Sequence, residues 1–65
     1  MKLELKQAII NWLIDNENEF NRVNHCVDYF KEYVYDSKGN FLKYGIGYEV
    51  HDFIVKADKL LYGGD

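Results

Sequence analysis

The chain has 65 residues and a formal net charge of −3, from eleven acidic and eight basic side chains. This length predicts one small domain, residues 1–65, which buries only about 60% of the surface that its unfolded chain exposes. A single cysteine, Cys26, excludes an internal disulfide. Together with His25 and His51 it supplies fewer ligands than a structural zinc site usually takes from Cys and His. We therefore expect stability to come from a dense core or from self-association.

The charge and the cysteine content also bear on location and partners. An acidic balance discourages non-specific nucleic-acid binding, whose affinity comes mainly from cations that neutralise phosphates. A lone cysteine suggests a reducing compartment, most simply the cytoplasm. Glu4 near the start of the chain is unlike a cationic secretory signal. The apolar stretch from Ala8 to Ile14 is interrupted by Asn11 and is too short to span a bilayer, so we expect no membrane contact.

Helix 1 is predicted over residues 3–15. Its main apolar face has the helical spacing i, i+3, i+4, i+7 and i+8, and consists of Leu5, Ala8, Ile9, Trp12 and Leu13. Leu3, Ile10 and Ile14 form a second, narrower stripe at i, i+7 and i+11. A helix that is apolar on two sides either lies centrally in the fold or contacts another molecule.

Helix 2 is predicted to follow a break at 15–18, with Asn16 or Asn18 as its N-cap, and to continue to about Tyr33. Its apolar face comprises Phe20, Val23, Cys26, Val27, Phe30 and Val34. Its polar face comprises Asn21, Asn24, His25, Asp28, Lys31 and Glu32.

The segment 33–44 has two interpretations. Aromatic and β-branched residues flank the turn-forming residues 36–40, which favours a short β-hairpin with Gly39 in a left-handed conformation. In the alternative, helix 2 continues to Tyr35 and only a loop follows.

Helix 3 is predicted from about Tyr48 to Tyr62, after a flexible hinge at 45–47 and before a stop at Gly63. Its predicted core face comprises Ile46, Val50, Phe53, Ile54, Ala57, Leu60 and Leu61. A second stripe, which a three-helix core does not need, comprises Tyr48, His51, Val55 and Tyr62. The predicted fold is therefore a mainly α, three-helix domain with a possible short β-hairpin between helices 2 and 3.

Catalytic chemistry is disfavoured by the same geometry. His25 and Cys26 are neighbours, and neighbouring residues on a helix point about 100° apart. Asp28 and Glu32 share a face, but a domain this small has little volume for the pocket that separates the pKa values of catalytic carboxylates. His25 with Asp28 would provide only two metal ligands. We predict no enzyme, no cofactor and no metal site.

We therefore expect a non-enzymatic protein-binding module. Six tyrosines lie mostly beside the apolar faces. At such positions they either form an interface with a partner or cover a small core. One surplus stripe is expected to form a homodimer and the other to meet a partner protein. Small size, acidity and the proline-free residue usage of AT-rich genomes suggest a phage or mobile-element accessory protein that inhibits a host or defence factor.

The alternative is a small helix-turn-helix DNA-binding regulator, with residues 36–43 as a wing. Base edges would then be contacted by Asn21, Arg22, Asn24 and His25, and phosphates by Lys38 and Lys43. Acidic residues on the same helix would oppose the phosphates, so nucleic acid is the less favoured partner. These residues are Glu19, Asp28 and Glu32.

Overall fold

A computed structural model describes residues 1–42 and 46–63 of the chain. It contains helices α1 (Leu3–Asp15), α2 (Arg22–Tyr29) and α3 (Ile46–Asp58). A short 3₁₀ turn, Lys31–Tyr33, follows α2, and a π-helical segment, Lys59–Gly63, continues directly from α3. The predicted mainly α, three-helix fold is confirmed. None of the helices in the described part of the chain is long and apolar enough to cross a membrane.

The core is formed where α3 packs against both α1 and α2. Its buried side chains are Ile9, Leu13, Cys26, Val27, Phe30, Val34, Val50, Ile54 and Ala57. All of them belong to the apolar faces predicted from helical spacing. The faces predicted from periodicity therefore include every buried side chain of the core, but they also contain residues that are exposed, among them Ala8 and Phe20.

The start of α2 differs from the prediction. Asn21 precedes the helix with a φ of 56°, a left-handed conformation that Asn tolerates better than most residues. Because α2 begins only at Arg22, Phe20 lies outside the helix and is 83% exposed. Asn16 caps α1 instead, since its Nδ2 donates to the carbonyl oxygen of Trp12 at 2.7 Å.

The segment after α2 forms a tight turn. Tyr35 and Phe41 form one antiparallel bridge, and the amide of Asp36 donates to the carbonyl oxygen of Asn40 at 2.7 Å. Gly39 has a φ of 86°, as predicted for its left-handed position. Residues 1–42 and 46–63 contain no β-strand, so the two-stranded hairpin is not confirmed. Helix 2 was predicted to continue to about Tyr33 and, in the alternative, to Tyr35. Both predictions are wrong, because α2 ends at Tyr29 and the 3₁₀ turn Lys31–Tyr33 follows.

Gly47 is part of α3 rather than of a hinge. It is buried, and a Cβ atom at this position would collide with the carbonyl oxygen of Val34 and lie 3.0 Å from the amide nitrogen of Leu42. The glycine therefore allows α3 to pack directly on the backbone of the preceding turn. Gly45 lies outside the described residues.

We predict that Gly47→Ala lowers the free energy of unfolding by about 1–3 kcal/mol, because the added methyl group overpacks the contact with Val34. Inside an unobstructed helix the same change is favourable by about 0.5–1 kcal/mol, so the expected sign is reversed. Urea unfolding followed by circular dichroism measures the difference. A variant as stable as the wild type, or more stable, would contradict the close approach.

Candidate protein-binding site

The π-helical segment at the end of α3 decides which side chains leave the core. A π-helix has more residues per turn than an α-helix, so residues after Asp58 lag behind the 100° phase of α3. Leu60 and Leu61 were predicted in the core, and that prediction is wrong. Their side chains are 89% and 40% exposed.

Tyr62 turns inward in their place. Its hydroxyl donates to the carbonyl oxygen of Leu13 at 3.0 Å, and the guanidinium carbon of Arg22 lies 4.0 Å from the centroid of its ring. Arg22 in turn donates through Nε and Nη2 to the two carboxylate oxygens of Asp58, and through Nη1 to the carbonyl oxygen of Glu17 at 2.6 Å. We call Tyr62, Arg22 and Asp58 the terminal latch.

The latch is shielded from solvent, since the side chains of Arg22 and Asp58 are only 18% and 15% exposed. The hydrogen bond with Asp58 is the main cause that raises the pKa of Arg22, so the guanidinium stays charged. A paired, two-oxygen contact of this kind is stronger and more directional than an exposed ion pair. It holds the π-helical segment in one orientation relative to α2.

The first predicted stripe borders an apolar groove between α1 and the end of α3. Ile10 is half-buried, while Leu3 and Ile14 are 75% and 50% exposed. The groove has a volume of about 410 Å³ and is lined by Ile10, Phe53, Lys56, Ala57, Leu60 and Leu61. Through Ile10, the groove joins the surplus stripe of α1 to leucines that sequence periodicity assigned to the core. The sequence analysis did not predict the exposure of these leucines, because no local sequence motif indicates the change of helical phase after Asp58.

The second predicted stripe is not one surface. Tyr62 belongs to the latch, whereas Tyr48 stacks on Phe41 with ring centroids 4.2 Å apart. The rings of Phe41 and His51 pack edge to face, with centroids 6.3 Å apart. These rings hold the turn against α3, while Tyr48 and Val55 remain 60% and 40% exposed.

Other tyrosines also cover the core. Tyr29 packs between Trp12 and Phe30, with ring centroids 6.0 Å and 5.0 Å away, and Tyr33 lies 6.4 Å from Phe30. Tyr29 and Tyr33 are nevertheless 67% and 42% exposed, so these rings fit both interpretations of the tyrosines.

The residues of the DNA-binding alternative have mixed environments. Asn21, Asn24 and His25 are exposed around the start of α2, and Nδ1 of His25 lies 2.7 Å from a carboxylate oxygen of Glu19. Arg22 is held in the terminal latch rather than projecting into solvent. Lys38 is exposed in the turn, and Lys43 lies outside the described residues.

Cys26 has the environment of a core residue. Its side chain is fully buried, and burial raises the pKa of its thiol to about 12. A thiol that stays protonated at neutral pH is a poor nucleophile. Within the described ranges, no three His, Cys, Asp or Glu side chains come together as metal ligands.

Comparisons with protein-family models, with curated proteins and with solved structures found no match to this chain. The interpretation of the groove therefore depends on its own geometry.

We predict that Tyr62→Phe lowers the free energy of unfolding by about 0.5–1.5 kcal/mol, because the carbonyl oxygen of Leu13 loses its donor. Tyr29→Phe is the matched control. Tyr29 is 67% exposed, so its change should stay within about 0.5 kcal/mol. Equal effects of the two substitutions in urea unfolding would mean that the hydroxyl of Tyr62 does not hold the segment.

The buried thiol predicts a pH dependence of stability. The folded-state pKa of Cys26 is raised to about 12, while the unfolded thiol ionises near about pH 8.5. The stability that the protonated thiol contributes to the folded state is therefore complete below about pH 8.5 and is lost as the pH rises towards 12.

Because other groups also titrate in this range, the measured quantity is the stability difference between the wild type and Cys26→Ala. We expect this difference to shrink by about 1–2 kcal/mol between pH 8 and pH 10. A difference that stays constant over this range would show that the thiolate is tolerated in the folded state.

Proposed function

We propose that this chain is a non-enzymatic protein-binding module that docks a partner on the apolar groove and the leucines beside it. The observation that carries the proposal is the 89% exposure of Leu60. Leu60 lies on the π-helical segment that Tyr62, a residue of the terminal latch, attaches to Leu13 of α1. Large apolar side chains that remain exposed together on a small domain usually mark an interaction site.

The surface is larger than the groove itself. Ile14 lies one helical turn beyond Ile10 on α1, so its exposed side chain continues the apolar lining. Leu3 lies on the same face of α1 near its other end. Two helices and a latched end form a surface whose shape does not depend on the partner, which reduces the entropy lost on binding.

The residue usage supports a more specific form of the proposal. A small, acidic, proline-free chain with one free thiol fits an accessory protein of a phage or mobile element, working in a reducing compartment such as the cytoplasm. Such a protein would act by occupying a surface of a host or defence factor and blocking it. The homodimer remains part of the proposal as a competing occupant of the same surface.

We predict that a photo-crosslinking residue in place of Leu60 forms an adduct of defined mass in extracts of the source cells. The matched control replaces Phe20, which is 83% exposed before α2 and does not line the groove. Adducts at 60 and not at 20 are expected. No adduct at 60, or equal labelling at both positions, would contradict the proposed docking surface.

A further inference from the structure

The walls of the apolar groove are helices whose backbone groups are already paired. α1 and the end of α3 hydrogen-bond within themselves, so they present no free row of amides and carbonyls to an incoming chain. An extended peptide in the groove would bury its own backbone groups without partners, which is costly. A helix satisfies its backbone internally and can place an apolar face in such a groove.

Among the described residues, the groove is lined by a cationic side chain and by no acidic one, although the chain is acidic overall. Lys56 is the charged residue that lines the groove, and Nζ of Lys6 lies 6.0 Å from the ring centroid of Phe53. Asp52 and Glu49 share the neighbouring depression with both lysines, and Glu49 pairs with the amine of Met1 at 2.6 Å.

Lys56 lines the groove, whereas Asp52 and Glu49 lie in the neighbouring depression. At physiological salt, charges more than about 8 Å away are largely screened, so the net charge of the chain weighs less at the groove than the charges beside it. A carboxylate on the partner, placed at the edge of its apolar face, would meet Lys56 on the groove side.

We propose that the occupant of the groove is an amphipathic α-helix of a partner protein with an acidic residue that pairs with Lys56. This inference rests on the proposed function and specifies its partner. Leu3 and Ile14 are eleven residues apart, about 16 Å along α1, so a helix of about three turns would cover the exposed face.

The test is a selection of displayed random 16-residue peptides on the full-length chain, followed by affinity and circular-dichroism measurements on a synthetic peptide from the enriched set. We expect apolar residues at i, i+3 or i+4, and i+7, with an acidic residue beside them, and a gain of helix on binding. Lys56→Glu should weaken binding about fivefold to tenfold. Changing the acidic residue of the peptide to lysine should restore it.

Lys38→Glu is the matched control, because it makes the same change of net charge in the turn and should leave affinity unchanged. Thermal unfolding of both variants shows whether they keep the fold. Enriched peptides with alternating apolar spacing, basic enriched peptides, no enrichment, or binding insensitive to Lys56→Glu would each overturn the inference.

The proposed function fails separately, through the crosslinking at position 60. The other candidate occupant of the groove is a second copy of the chain. Sedimentation of the wild type and of Leu60→Asp tests for it. If the wild type is a dimer and the variant a monomer, a second copy of the chain fills the groove and the helical partner of different sequence is excluded.

Discussion

The contact between Arg22 and Asp58 connects the first residue of α2 to the last residue of α3, and the arrangement of the terminal segment depends on it. The guanidinium that pairs with Asp58 also covers the ring of Tyr62, whose hydroxyl reaches the carbonyl oxygen of Leu13 in α1. That carbonyl belongs to the last turn of α1, where a helix leaves its acceptors unpaired. All three helices thus meet at one shielded polar cluster.

The cluster has a direct consequence for the surface. Tyr62 reaches the carbonyl oxygen of Leu13 from the π-helical segment, in which the chain departs from α-helical phase after Asp58. The same rotation takes Leu60 and Leu61 out of the core and places them beside Ile10 and Phe53. The terminal latch and the apolar groove therefore both involve the π-helical segment. A substitution that weakens the latch is expected to alter the groove as well.

The core and the groove differ in how far local sequence predicts them. Ile9, Leu13, Val50 and Ile54 recur with a helical period, and α1 has the predicted bounds from Leu3 to Asp15. The candidate surface follows this rule only in part, because Ile10 and Ile14 stand out as a surplus stripe while Leu60 continues the period of the core. Leu60 lies on a segment that follows the contact of Asp58 with Arg22, 36 positions apart in the sequence, and no local pattern encodes such a contact.

The sequence by itself determined the helical class, the helix faces from which the buried core residues come, and the inert character of Cys26, because each follows from residue type and local periodicity. Only the tertiary structure decided the left-handed start of α2 at Asn21, the role of Gly47 in close packing, and the exchange of Tyr62 for Leu60 and Leu61. For Gly47 and for the terminal segment the physical reason is the same. These features depend on where a distant backbone or side chain lies, and a carbonyl acceptor or an ion pair across the fold overrides the local preference of the chain.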